Sequence, residues 1–262
     1  PKCYPEWLEN QVAKTIKKFK LLKEDDRILL AISGGKDSLS LWQILSRLGY
    51  EVDAFYVDLG ITRAEYSKIS LEKCKQMQKK LNRKLYVVDL EKEMGGSIDI
   101  VSRVYPKTCS ACGTIKRYFM NKITLENGYT VIATGHNLDD EVTTLFGNLI
   151  QWDEGYLTRQ FPLIPEKGKL AKKIKPLVYN SEKQMAIYAL TTKIDYIKEE
   201  CPYSVSATSI SYKELMNRLE SDHPGILRFF LGNFFRSKKK KQKKLEDNNF
   251  ENIESEVKLI PC

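Results

Sequence analysis

No apolar run in this chain of 262 residues approaches the roughly 20 residues needed to cross a bilayer. The first segment, PKCYPEWLENQVAKTIKKF, also has no apolar stretch of the signal-peptide kind. Membrane-spanning helices and a secreted, disulfide-stapled scaffold are therefore set aside, and a soluble cytoplasmic protein with no membrane partner is expected. No internal repeat is visible. Two familiar nucleotide signatures are missing as well, the G-x-x-x-x-G-K-S/T of a Walker loop and the G-x-G-x-x-G of a dinucleotide fold. With thiols kept reduced in the cytoplasm, the six cysteines read as ligands or catalysts rather than as a disulfide framework.

What is present can build a sizeable core: 42% of the residues are apolar, at a length that suits one large domain with small appendages. Lysine and arginine outnumber aspartate and glutamate by 43 to 34, partly through the run Lys238–Lys244, which favours a polyanionic partner or else a solvated tail. Short apolar runs alternate with amphipathic ones, the pattern of an α/β protein whose parallel sheet is flanked by helices. Strands are predicted at Ile28–Ser33, Val52–Val57, Leu85–Val88 and Val131–Thr134, with helices at about Asp37–Leu48, Ala64–Leu81, Ser110–Leu125 and Leu138–Ile150. Trp7, Val12, Ile16 and Phe19 mark a helix before them. After Ile150 a polar, proline-bearing, basic stretch reads as a long loop or short hairpin. Helical patterns resume at Glu182–Thr192 and Ser211–Arg236. Residues 1–24 are thus expected to form an N-terminal helix, 25–236 the main domain, and 237–262 a basic linker.

The most specific local signal is LLAISGGKDSLSLWQIL, a buried strand followed by Ser33, Gly34, Gly35, Lys36, Asp37 and Ser38, then an amphipathic helix. Two glycines at such a turn let backbone N–H groups approach an anion at a helix N-terminus, which makes a phosphate cradle. A plain turn with Asp37 or Ser38 as a helix cap is the alternative. Further on, His136, Asp139, Asp140 and Glu141 follow a strand, at the carboxyl edge where open sheets place ligands. Carboxylates there can hold Mg2+ against phosphates or handle a proton, while Glu141 reads as an acid placed for the helix dipole. His223 reads as a surface residue and Cys74 as helix packing.

Cys109 and Cys112 form a C-x-x-C at the entrance to a helical run, and Cys201 opens CPYS. Three thiolates fall short of a structural zinc set, which usually takes four ligands. On three cysteines a 4Fe-4S cluster keeps one iron open to an exogenous hydrosulfide. A redox or zinc pair beside an unrelated cysteine stays open at this point.

SGGKDS resembles the SGGxDS signature of the N-type ATP pyrophosphatases, the PP-loop family. That resemblance implies cleavage of ATP to AMP and pyrophosphate, with the loop holding the departing pyrophosphate. TCSACGTIKRYFMN, ATGHNLDDEVTTLFGNLI and CPYSVSATSISYKELMNRLE further resemble consecutive motifs of the tRNA 2-thiouridine synthetases, the TtuA-like and cytoplasmic wobble-thiolase group. The implied function is ATP-dependent tRNA thiolation, with a cluster on Cys109, Cys112 and Cys201 and with ATP on the Ser33–Ser38 loop. By the same carry-over Lys116 and Gly135 line the nucleotide, Ile61 lies near the adenine, and Asp140 is a candidate catalytic acid, Asp139 or Asp140 assisting through Mg2+ or proton transfer. The implied partners are tRNA and a sulfur donor, either sulfide or a ubiquitin-like thiocarboxylate carrier, and a homodimer stays open. In that group two zinc modules flank the PP-loop domain. Cys3 resembles the last ligand of the first and Cys262 the first ligand of the second, so zinc is expected only if those modules are completed outside this chain. Competing functions are a tRNA 2-thiocytidine synthetase, disfavoured by GHNLDD where that family usually has GHHxDD, a PP-loop ligase or amidotransferase without sulfur chemistry, and a non-catalytic RNA-binding protein. Persulfide chemistry on the same cysteines competes with the cluster.

Overall fold

The computed structural model of the protein describes residues 3–105, 107–204 and 208–240. In chain order the elements are α1 (Cys3–Phe19), β1 (Ile28–Ala31), α2 (Lys36–Arg47), β2 (Val52–Asp58), α3 (Tyr66–Leu81), β3 (Leu85–Asp89), α4 (Leu90–Met94), α5 (Ile98–Val104), α6 (Thr108–Glu126), β4 (Val131–Thr134), α7 (Leu138–Ile150), α8 (Glu154–Arg159), β5 (Leu163–Ile164), β6 (Lys172–Ile174), α9 (Glu182–Thr191) and α10 (Thr208–Asp222). A further helix, α11, occupies 226–240. The sheet order is β3-β2-β1-β4-β6-β5, parallel except for the β5–β6 pair. The expected parallel sheet flanked by helices is thus borne out.

Strand alternation builds two cores, because successive side chains leave a strand on opposite faces. Ile28, Leu30, Val52, Ala54, Val131 and Ala133 point to a large core under α1, α2, α3, α7 and α9. Leu29, Phe55, Val57 and Ile132 point to a smaller one under α5 and α6. From β1 the chain moves outward through β2 and β3, then returns to place β4 on the other side of β1. The β1/β4 crevice is therefore the switch point, where an open α/β sheet leaves room for a ligand beyond its carboxyl ends.

Several expectations need correction. In α1 the buried stripe is Leu8, Val12, Ile16 and Phe19, whereas Trp7 is 43% exposed. Spacings of four, four and three keep one helix face, and a step of five from Trp7 does not. The short hairpin read after Ile150 is present as β5–β6, but the stretch also contains α8, and β6 joins the sheet with Ile174 fully buried. Within that strand the Lys172 charge is taken by Asp26 at 2.6 Å, while burial and the neighbouring Lys175 and Arg117 lower Lys173. Lys172 is accordingly engaged rather than free to meet a polyanion, Lys173 is half-buried, and Lys167 and Lys169 are exposed. The single helical pattern at 211–236 is two helices, broken at His223–Gly225, where Gly225 takes φ +90.

Residues 238–240 continue α11 rather than starting a linker; Lys241–Lys244 and Cys262 lie outside the described residues. Lys238 Nζ donates to the carbonyls of Leu157, Thr158 and Gln160 at 3.2, 2.5 and 3.1 Å. It thereby closes the C-terminal end of α8, where unpaired carbonyls and the helix dipole favour a cation. The same ammonium lies over the Phe161 and Phe234 rings, 5.5 and 5.7 Å from their centroids. Lys238→Met keeps an apolar side chain of similar length and removes the ammonium with its three donations, so it should cost about 2 kcal/mol of stability. Lys240→Met, at an exposed position, should cost almost nothing. Chemical denaturation of both variants checks this, and equal midpoints would refute the capping role.

Candidate functional site

The Ser33–Ser38 loop leaves β1 at Ala31 and enters α2 through Gly35, whose backbone caps the helix without help from a side chain. Neither Asp37 nor Ser38 acts as the N-cap. The Ser38 hydroxyl instead folds back, donating to the Gly35 carbonyl at 3.1 Å and accepting from the Ser33 N–H at 3.2 Å. Gly34 sits at φ +78 with Ser70 beneath it, so a Cβ there would lie 2.6 Å from the Ser70 carbonyl oxygen. From β4, Gly135 comes so close to α2 that a Cβ would lie 3.0 Å from the Ser38 nitrogen. Gly34 requires glycine for both its φ and this contact, and a side chain at Gly135 would push on the backbone at the start of α2.

These elements enclose a cavity of about 320 Å3, with Ser33, Gly35, Asp37 and Ser38 on one wall and Thr134, Gly135, His136 and Asp140 on another. Phe55, Val57, Leu59 and Tyr66 supply an apolar side, and Lys116 closes it from α6. The combination suits a planar apolar group joined to a polyanion. Gly34, Lys36, Ile61 and Asp139 are not lining residues. Ile61 is buried, and it borders a neighbouring hollow of about 590 Å3 that begins at Asp58 and Gly60.

An ion network borders the mouth of this cavity. Lys36 pairs with Glu182 at 2.6 Å and Asp37 at 3.3 Å, and Lys213 bridges Glu182 at 2.5 Å and Asp140 at 3.4 Å. Burial pushes the Asp37 carboxyl up to about 6, against the pull of Lys36 and with Asp140 and Glu182 adding to the rise. Its Oδ1 is buried and has no hydrogen-bond partner. Burial works to lower Lys36, and Asp37 and Glu182 outweigh it, holding the ammonium above its usual range. Lys213 is raised in the same way, burial being overcome by Asp140 and Glu182. Sequence reasoning missed Glu182 and Lys213: each is one charge on an amphipathic helix, and only the fold brings them to the loop.

The β4–α7 cluster separates by function. Asn137 caps α7 reciprocally with Asp140. Asp139, one residue earlier and so rotated about 100° on the helix, accepts the Glu182 N–H at 2.8 Å at the start of α9. Its carboxyl is raised by burial. Glu141 is buried and paired with Lys175 at 2.7 Å, which is more than a dipole-placed surface acid. His136 is lowered by burial and by Lys175, and its Nδ1 lies 2.9 Å from the Thr134 hydroxyl. As expected, Cys74 is buried packing on α3 and His223 is exposed.

Along α6, Cys109, Cys112 and Lys116 are spaced three and four apart, so one helix face carries both thiols and the cavity lysine. Cys112 and Cys201 pack together against the smaller core, beside Tyr66 and Tyr203. Burial raises the Cys112 thiol, opposed by Lys116, with Cys201 and Cys109 adding to the rise. The segment leading to Cys201 is tied to the loop by the Ile197 N–H, which donates to the Gly34 carbonyl at 2.9 Å. Cys109, Cys112 and Cys201 are free thiols. Cys109 donates to the Tyr203 carbonyl at 3.1 Å, and among the described residues no three His, Cys, Asp or Glu side chains are gathered as a metal-holding group. The three thiols are not yet gathered, but Cys109 and Cys201 both lie near enough to Cys112 to raise it, and three soft sulfur donors suit a cluster with three protein ligands once Cys109 leaves that carbonyl. Cys3 is exposed at the start of α1.

Residues 7–208 match the PP-loop domain family. The chain is 44% identical over 248 residues to a tRNA-5-methyluridine(54) 2-sulfurtransferase of Thermotoga maritima, covering 93% of this chain and 80% of that one. It is 41% identical to the protein of the same description from Pyrococcus horikoshii, covering 90% and 75%. A solved U34-tRNA thiolase of Methanococcus maripaludis, which carries a 4Fe-4S cluster, superposes with a TM-score of 0.79 at 25% identity, covering 91% of this chain and 80% of that one.

Proposed function

Since this chain belongs to the PP-loop family, we propose from that premise that it is an ATP-dependent tRNA sulfurtransferase whose substrate is the uridine-type base at position 54 of tRNA. The observation that carries the proposal is the shared face of α6: Lys116 closes the phosphate-loop cavity and the thiols of Cys109 and Cys112 stand on the same face. Adenylation and sulfur insertion need those two sites side by side. The relatives described as acting on position 54 favour that base, although the thiolase of known structure is described for position 34.

In the adenylation step, uridine O2 forms a bond to the α-phosphorus of ATP and the bond to the β-phosphate oxygen breaks, releasing pyrophosphate. The open N-terminus of α2 and the Gly34–Gly35 backbone would hold that pyrophosphate, with Lys116 offsetting its charge. Lys36 would add its charge on leaving Glu182. Asp140 and Asp37, which both line the cavity, are the groups suited to a Mg2+ ion carried in with the polyphosphate. Asp139 would act indirectly, by fixing the start of α9. In the second step a carbon–sulfur bond forms at C2 and the carbon–oxygen bond breaks, with AMP as leaving group. Cys109, Cys112 and Cys201 would hold a 4Fe-4S cluster, which when bound supplies an iron not ligated by protein where sulfide can be held. The sulfur donor, sulfide or a thiocarboxylate carrier, and tRNA are the partners. A reducing cytoplasm suits three free thiols.

Anaerobic purification with iron and sulfide analysis, followed by incubation with tRNA, ATP and sulfide, tests the proposal by nucleoside mass spectrometry. The expected products are 5-methyl-2-thiouridine, AMP and pyrophosphate. Sulfur confined to the wobble uridine would overturn the position, ADP as product would overturn the loop chemistry, and no thiolated nucleoside would overturn the function.

A further inference from the structure

The carboxylate of Asp99, in the first turn of α5, stands between two segments that both pack on the smaller core, the loop after β2 and the stretch from Cys201 to Tyr203. Its Oδ2 accepts from both the N–H and the hydroxyl of Thr62, at 2.9 and 2.7 Å. Its Oδ1 accepts from the Tyr203 hydroxyl at 2.7 Å, and that hydroxyl accepts in turn from Ser102 at 3.2 Å. Thr62 ends the short loop leaving β2, whose Leu59 forms part of the cavity wall. That loop is already braced by Ile98 N–H on the Leu59 carbonyl at 2.8 Å and by Ile61 N–H on the Ser67 hydroxyl at 3.0 Å. Tyr203 lies two residues after Cys201, and its carbonyl receives the Cys109 thiol. One carboxylate therefore ties the wall of the nucleotide cavity to the carbonyl that fixes a cysteine.

We propose that Asp99 is a positioning residue that couples occupancy of the β1/β4 cavity to the segment carrying Cys201 and, through Tyr203, to Cys109. A ligand pressing on Leu59, Tyr66 and Ser67 holds Thr62 against Asp99, which pins Tyr203 and keeps the Cys109 thiol on its carbonyl. The coupling is reciprocal: whatever factor the nucleotide imposes on the cysteine, a change of state at the cysteine imposes on nucleotide affinity. The chemical meaning of this link rests on the sulfurtransferase reading above: a cluster needs Cys109 off that carbonyl, so nucleotide bound before cluster assembly would oppose its loading. The link itself does not depend on that reading.

The test is alkylation of Cys109 by iodoacetamide in the full chain before cluster assembly, followed by peptide mass spectrometry with and without saturating α,β-methylene ATP. In the wild type the nucleotide should slow alkylation by about fivefold or more, the lower end of ordinary coupling. Tyr203→Phe deletes one hydroxyl and no backbone contact, and should abolish the difference while calorimetry still detects nucleotide binding. Thr62→Val, at the other end, should shrink it. An undiminished response in Tyr203→Phe would overturn the role of Asp99 and move the coupling to the Ile197–Gly34 hydrogen bond. No response in a wild type shown to bind nucleotide would overturn the coupling outright. Thiolation is assayed in parallel: an intact response in a protein that cannot thiolate tRNA supports the coupling and sinks only the sulfurtransferase reading.

Discussion

Alanine at Cys109, Cys112 or Cys201, one at a time, should lower tRNA thiolation by at least about a hundredfold, the upper end of what losing a mere supporting residue costs a metal site. None of the three lies deep in a core, Cys109 being exposed and the others half-buried, so the fold should survive each change. Visible absorption of the anaerobically prepared protein should disappear with the activity. Cys3→Ala is the matched control, because that thiol is exposed on α1 and is expected to alter neither reading. Nucleoside mass spectrometry and iron analysis on the same preparations decide the outcome. Full activity in a wild type that contains no iron would replace the cluster by persulfide chemistry on these cysteines, and full activity in all three variants would remove both.

The parts of this site that could be read in advance are those encoded by neighbours in sequence. The phosphate loop was legible because four apolar residues, two glycines and an amphipathic helix stand in one line, and a helix entrance with C-x-x-C shows where two thiols share a face. β4 and α7 were legible for the same reason. α4 and α5, of five and seven residues, are shorter than the two turns over which helical periodicity becomes visible, so the element that carries Asp99 gave no signal. β6 is hidden by its own composition, Lys-Lys-Ile, which becomes strand only when Asp26, 146 positions away, takes the Lys172 charge. The Lys36–Glu182–Lys213–Asp140 network is likewise assembled across α2, α9, α10 and α7. No window of sequence displays such pairings. The break at 223–225 is different in kind, because Pro224–Gly225 is an ordinary stop signal that the helical pattern around it concealed.

Asp37→Asn should make the protein more stable and less active at once. The wild-type carboxyl is held at about 6 against an ordinary value of 3.8, so the folded state binds more protons than the unfolded state between those two values. Stability from this group therefore falls as pH rises from about 3.8 to about 6 and stays low above it, a cost on the order of 1 to 3 kcal/mol at neutral pH. An amide carries no such cost, and Lys36 keeps its Glu182 partner. The gain in thermal midpoint over wild type should thus be full at pH 7 to 8, shrink as pH drops through about 6, and vanish near 3.8, other carboxylates cancelling in the comparison. Catalysis should move the opposite way. Asp37 lines the cavity where the polyphosphate and its Mg2+ are proposed to sit, and losing its charge should slow conversion of ATP to AMP by on the order of a hundredfold. Calorimetric melts across that pH range and radiolabelled ATP turnover at saturating Mg2+ give the two readings. A variant destabilised at pH 8 would contradict the raised carboxyl, and undiminished turnover would show that Asp37 is only a strained wall of the loop.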